Sequence, residues 1–311
     1  MNTIELNHPT IIRTEATAQT SFRQKEINAS PQLNALRLFF SVGGKYVPTM
    51  TAKIATNLFL TPRKSKKKKP LPEIFESAST YYLPYDRGNL KVYSWGFYGP
   101  RILLVHGWES RASTFRNVVP KLLEEGYRVV AFDGPAHGDS SGKQTNLVNF
   151  SKAIRSVIDY FEYSGGVSYI MGHSFGAGAV SLMLSDLKEK MPVKKLILIS
   201  MPALVDKVIA DFCEYMSISG TVESKIFDHI LRITGRELKD FNLPNRFKDI
   251  SAEDILIVHD KQDEVVPVSH TYALMKDANR PKYLFTENFG HYDIIKDELI
   301  IDKVIEFLKT N

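Results

Sequence analysis

Short apolar runs alternate along this chain with stretches whose apolar residues recur at helical spacing. Ile102–Val105, Arg128–Phe132, Val167–Met171, Leu196–Ser200, Ile255–Val258 and Tyr283–Thr286 read as strands. Between and after them, helices are predicted at Thr114–Glu125, stopped by Gly126, at Phe175–Lys190 and at Ser269–Asp277. Leu147, Phe150, Ile154, Val157, Ile158 and Phe161 share one helical face ahead of Gly165-Gly166, and Ile301, Val304, Ile305 and Leu308 share another. The almost unbroken apolar character of a run such as Leu196–Ser200 is that of a strand covered on both faces. Repeated strand–helix units therefore predict an α/β domain with a mostly parallel sheet and helices on both sides. Ahead of them, Tyr81–Asp86 and Leu90–Trp95 form a strand pair turned by Arg87-Gly88-Asn89.

Two stretches break this rhythm. Residues 203–250 offer helical segments and no strand between two sheet strands, which predicts an inserted helical cap at about 203–250. At the other end, residues 1–30 show no periodicity and read as an arm. Apolar clusters at Leu33, Leu36, Phe39, Phe40 and then Ile54, Leu58, Phe59, Leu60 predict two short helices parted near Gly43-Gly44 and Pro48. Spacing alone leaves open whether they pack on the main domain or lie along a membrane. The expected division is an arm and basic linker over residues 1–72, then the main domain with its cap over 73–311.

With 311 residues, 43% hydrophobic and 24% charged, the chain can bury a large core. Its net charge of +5 is local, because six of the seven residues Arg63–Lys69 are basic. Such a run reads as a solvated linker or a weak contact to an anionic membrane surface, and nucleic acid is not expected as a partner. The single cysteine, Cys213, precludes an internal disulfide and sits in an apolar-polar run as a small buried hydrophobe. The polar first thirty residues hold no signal-peptide core, and Lys45, Pro48 and Lys53 interrupt the apolar stretch Phe39–Leu60. The expected location is cytoplasmic, with a peripheral membrane protein as the alternative; the oligomeric state stays open.

Chemistry concentrates at Gly172-His173-Ser174-Phe175-Gly176, a Gly-x-Ser-x-Gly pattern between a predicted strand and a predicted helix. A tight strand-to-helix turn needs flanking residues without Cβ atoms, and it lifts the serine hydroxyl above the sheet at a helix N-terminus. In this context the chain resembles the α/β-hydrolase superfamily of serine hydrolases, from about Tyr81 to the C-terminus. The resemblance implies that fold, a Ser–acid–His triad in chain order and an oxyanion hole of two backbone N–H groups.

A serine hydroxyl needs a base to take its proton. His291, in Asn288-Phe289-Gly290-His291-Tyr292-Asp293 after the last predicted strand, resembles the family's histidine loop. His8 lies in the arm, His229 in the cap, His270 in a helix, and His173 should point away from its serine neighbour. For the carboxylate that orients the base, the family's spacing favours Asp263 over its rival Asp260. Val105-His106-Gly107-Trp108 resembles the oxyanion loop, so the implied donors are the amides of Trp108 and Phe175, with His106 bracing the loop. Asp133, His137 and Ser140 invite a second triad, but the Gly/Pro turn around them has a structural explanation.

The expected reaction is hydrolysis of a carboxylic ester or thioester through an acyl-enzyme. The same residues leave acyl transfer, amide cleavage and carbon–carbon hydrolysis open, as well as a non-catalytic binding protein of the same fold. Phe212, Met216, Ile218 and Phe227 in the cap point to a hydrophobic small-molecule substrate. No metal or nucleotide motif stands out, and neither a metal nor a cofactor is expected.

Overall fold

The computed structural model describes residues 10–13, 30–63, 70–86, 88–187, 191, 193–275 and 281–310. Of the basic run it therefore describes Arg63 alone. In chain order the elements are β1 (Thr10–Arg13), α1 (Pro31–Tyr46), α2 (Pro48–Phe59), the single turn α3 (Glu73–Glu76), β2 (Ser79–Tyr85), β3 (Gly88–Trp95) and β4 (Arg101–Val105). Then come α4 (Val118–Glu124), β5 (Arg128–Phe132), α5 (Leu147–Phe161), β6 (Tyr169–His173), α6 (Phe175–Asp186) and β7 (Val193–Ile199). The cap contributes α7 (Val205–Tyr215) and α8 (Gly220–Thr234), and the chain closes with β8 (Ala252–Asp260), α9 (Ser269–Met275), β9 (Lys282–Glu287), α10 (Gly290–Asp293) and α11 (Glu298–Lys309).

The strands form one nine-stranded sheet in the order β1-β9-β8-β7-β6-β4-β5-β3-β2. All neighbours from β1 to β5 run parallel, while β3 is antiparallel to both β5 and β2. Successive residues of a strand face opposite sides, and here both sides are dry. Leu103, Val105, Val130, Ile170, Leu196 and Leu198 pack with Phe150, Ile154 and Val180 of α5 and α6. Ile102, Leu104, Val129, Met171, Ile197 and Ile199 pack on the other side with Val119, Leu122, Ile301 and Val304 of α4 and α11. Every residue of β4 is buried, which is why these strands carry no polar alternation. The chain leaves β4 towards β5 and later returns to β6 on the other side of β4, so the connections diverge at the carboxyl ends of β4 and β6. That divergence leaves a crevice in which α/β sheets hold their ligands.

Three elements differ from the sequence reading. Thr10–Arg13, inside the stretch read as an unpatterned arm, adds a parallel strand to β9; four residues are too few to show a period. The single helix predicted over 114–125 is a 3-10 turn at Ala112–Phe115 followed by α4. Pro120 explains the break, since proline is accepted in a helix's first turn but clashes with a preceding one. The strand before Ser174 runs two residues further than predicted, because Gly172 and His173 keep pairing with Leu198 and Ile199.

The cap region is helical, as its pattern suggests, and the two N-terminal helices pack against it. Phe40, Ala52 and Ala55 share a buried cluster with Ile209, Cys213, Met216, Val222, Ile226 and Leu182. Arg37 donates from Nε to the Tyr215 carbonyl at 2.7 Å. Arg236 and Arg246 of the cap both pair with Asp186 at the end of α6. Among the described residues no helix is long and apolar enough to cross a membrane.

Candidate active site

Ser174 sits between β6 and α6 with φ 53° and ψ −125°, a left-handed conformation that a side chain rarely adopts. Its N–H donates to the Ile199 carbonyl at 2.8 Å and its carbonyl accepts from Gly178 at 3.1 Å, so the turn is held from both sides. The two flanking glycines are there for room. A Cβ on Gly172 would lie 2.7 Å from the Ala177 Cα, and one on Gly176 would lie 2.3 Å from the His106 carbonyl oxygen. The elbow is thus pressed against the end of β4.

His291, in α10 just after β9, points its Nε2 at the Ser174 hydroxyl across 2.9 Å. Its Nδ1 lies 2.8 Å from Asp263 Oδ2. Asp263 follows β8, and its other oxygen accepts the amides of Val265 at 2.9 Å and Val266 at 2.8 Å. With Oδ1 occupied, Oδ2 is left for the imidazole. That fixes the tautomer: Nδ1 carries the proton and donates to the carboxylate, leaving Nε2 to accept from the serine hydroxyl. Burial alone pushes the Asp263 carboxyl up, but the His291 hydrogen bond and charge, with the Val266 amide and His259, hold it below the usual aspartate value.

Asp260 does a different job. It is fully buried, accepts the Gln262 amide on Oδ1 and the Thr286 hydroxyl and Phe289 amide on Oδ2, and so ties the ends of β8 and β9 to the loop that carries His291.

The loop after β4 meets the elbow. A Cβ on Gly107 would stand 2.9 Å from the Ser174 Cβ. The Trp108 and Phe175 rings touch edge to face at 5.1 Å between centroids. Phe175 opens α6, where amides have no intrahelical acceptor, and among the described residues neither its amide nor that of Trp108 donates a hydrogen bond. Beneath them, His106 accepts the Gly134 amide on Nε2 at 2.8 Å and therefore donates from Nδ1 to the Gly107 carbonyl at 2.7 Å. Burial drives its pKa down to about 3, so it stays neutral. Asp133 accepts the amides of Ala112 and Asp139, and the Ser140 hydroxyl donates to the Asp133 carbonyl; these groups brace turns.

Several supporting residues escape a reading of the sequence. His173 donates from Nε2 to the His291 carbonyl at 2.9 Å, anchoring the loop of the base; burial lowers its pKa to about 3. His259 donates to the Val266 carbonyl and accepts from the Thr271 hydroxyl, with Nε2 3.7 Å from Asp263 Oδ2. Glu109, next to Trp108, has φ 53°, donates its amide to His137 Nε2 and takes the Arg63 guanidinium in a fork at 2.8 and 2.7 Å. The contacts of His173 and of Glu109 join residues distant in the chain, whereas those of His259 close a loop of its own neighbourhood, and only the local Gly-rich and His-containing turns hint at any of them. Among the described residues, no three His, Cys, Asp or Glu side chains are grouped to hold a metal ion.

Comparison with known proteins identifies the family and the fold. A serine hydrolase-like protein of Dictyostelium discoideum is 35% identical over 121 residues, which are 38% of this chain and 30% of that protein. A human serine hydrolase-like protein is 30% identical over 151 residues, 47% of this chain and 70% of its own. The chain thus spans less than a third of the Dictyostelium relative. Among solved structures, an esterase of Pyrococcus furiosus superposes with a TM-score of 0.59 at 22% identity, over 80% of this chain and 96% of that one, a likeness of fold. Residues 102–282, more than half of the sequence and the stretch that carries Ser174, Asp263 and the loop after β4, match the Alpha/beta hydrolase family, and to that family the chain belongs.

Proposed function

We propose that the protein is a serine hydrolase that cleaves a carboxylic ester or thioester in two steps. The observation that carries this reading is the unbroken relay from Ser174 through His291 to Asp263, with links of 2.9 and 2.8 Å. In the first step His291 Nε2 takes the hydroxyl proton as Ser174 Oγ attacks the acyl carbon. The charge that develops on the substrate oxygen is taken up by the amides of Trp108 and Phe175. His291 then passes its proton to the leaving alcohol or thiol, and an acyl-enzyme remains. A water molecule, deprotonated by the same nitrogen, releases the acid and restores the serine. Asp263 stays ionised throughout and stabilises the imidazolium.

Trp108 and Phe175 present aromatic rings beside the serine, which suits a hydrophobic acyl group; Phe212, Met216 and Ile218 of the cap pack in the cluster shared with α1 and α2. The test is a series of p-nitrophenyl esters of increasing acyl length, run with wild type and Ser174→Ala. Turnover that falls by about a thousandfold or more in the variant is expected. Turnover that survives the substitution rejects this nucleophile.

A further inference from the structure

The α1–α2 hairpin turns one face to the cap and leaves the other bare. In α1 the buried residues are Phe40 and Gly44, one turn apart. Leu38, Val42 and Tyr46 recur at the same spacing on roughly the opposite side of the helix, and all three are exposed. Val47 and Met50 extend this apolar stripe around the bend into α2. Leu38 is 65% exposed, Tyr46 80% and Met50 64%. Contiguous apolar surface of this kind marks a contact site in a water-soluble fold.

Charge says what the contact is. From Ile27 to Pro72 the chain has nine basic residues and no acidic one: Arg37, Lys45, Lys53 and the run Arg63–Lys69 without Ser65. The remainder holds 31 of the 40 basic and all 35 acidic residues, a net of −4. The net positive charge of the molecule thus comes from the segment that bears the apolar stripe. We propose that the bare face of the α1–α2 hairpin, together with the basic run that follows it, is a docking surface for an anionic lipid bilayer. Apolar side chains on one face of an interfacial helix enter the headgroup region, and clustered lysines add attraction to acidic lipids. A second copy of the chain fits less well, because a two-fold contact would set this cationic face against itself. Nucleic acid would use the lysines but not the stripe.

Arg63, the one described residue of the basic run, holds the Glu109 carboxylate with its guanidinium and its amide, next to Trp108. The inference does not depend on the proposed reaction.

Co-sedimentation with vesicles tests it. The full chain is mixed with vesicles of phosphatidylcholine alone or of phosphatidylcholine with phosphatidylglycerol. Wild type is expected to bind only the second kind, and less as salt is raised. Replacing Lys66, Lys67, Lys68 and Lys69 by glutamine should weaken binding by at least about tenfold. The triple variant Leu38→Ser, Tyr46→Ser, Met50→Ser should do the same while keeping the wild-type melting temperature. Tyr46→Ser alone carries the test, with a smaller loss, if the triple variant does not fold. Equal binding to both vesicle types, binding to neither, or full binding by both serine variants overturns the proposal. So does a wild-type dimer in sedimentation that the serine variants abolish, which assigns the face to a second copy.

Discussion

The edge of the sheet that carries Ser174 and the helical layer that covers it are built on different terms. At the sheet edge, backbone meets backbone: a Cβ on Gly176 would come within 2.3 Å of the His106 carbonyl and 2.6 Å of that of Val105. In the helical layer, side-chain tips meet: a Cβ on Gly44 in α1 would stand 3.1 Å from a Val222 methyl and 3.2 Å from the Ser219 hydroxyl. Carbonyls of a central strand cannot yield, whereas a valine methyl and a serine hydroxyl can turn. The lesson is that this fold holds its reacting groups with its stiffest parts and leaves its apolar covering free to adjust.

The largest test of that contrast compares two buried aspartates opposite in role. Asp263→Asn removes the acceptor that fixes the His291 tautomer and should cut kcat by roughly three to four orders of magnitude, with little change in melting temperature. Asp260→Asn should do the reverse. It spoils an acceptor shared by Thr286 and Phe289, costs about 1–3 kcal/mol of stability by denaturant unfolding, and leaves kcat within roughly tenfold. Equal kinetic losses in the two variants would mean that both carboxylates serve the base alike.

The glycine pair comes next. Gly176→Ala should lower stability by about 1–3 kcal/mol or more and damage ester turnover, since the elbow must shift to admit a methyl group. Gly44→Ala should be near neutral in thermal unfolding, because a mild contact is offset by the better helix propensity of alanine.

A third prediction concerns acid. His106 and His173 stay neutral in the fold down to about 3, whereas in the unfolded chain they take up protons near 6.5. The unfolded state therefore binds more protons between these values, so stability should fall as pH is lowered from about 6.5. Asp263 adds to the loss further down, because a carboxyl held below its ordinary value gives up its stabilisation as pH drops through the folded value. Melting temperatures should be flat close to neutrality and decline below about 6.5, and the decline should be shallower in His173→Gln.

The smallest effect belongs to the bridge between the two regions. Arg63 is exposed, so its fork to Glu109 is worth at most about 1 kcal/mol. Arg63→Ala should lower kcat by about fivefold or less through a looser Trp108 loop, with KM nearly unchanged in steady-state assays. A loss as large as that of Asp263→Asn would give the helical layer a direct part in the chemistry.

Most of the sheet was legible because each central strand had to be apolar on both faces, and runs such as Leu196–Ile199 then stand out from any helical pattern. Ser174 could be singled out by its glycine-flanked turn between a strand and a helix, and His291 and Asp263 by the resemblance of their surroundings to the family's loops; the structure brings the three side chains together. What stayed hidden was non-local. β1 is four residues of ordinary composition that gain meaning only beside β9. His173 looks like any buried histidine until the His291 carbonyl lies opposite it. The packing of α1 and α2 on the cap depends on the complementarity of Gly44 with Val222 across more than half of the chain, which no local spacing encodes.

The central claim is that the Ser174 hydroxyl is an activated nucleophile. Its most direct test is incubation of the folded protein with a fluorophosphonate, followed by intact-mass and peptide mapping. A single phosphonyl adduct on Ser174, absent from Ser174→Ala and slowed strongly in His291→Ala, is the predicted result. A folded wild type that takes up no label, or takes it up at another serine, would contradict the account.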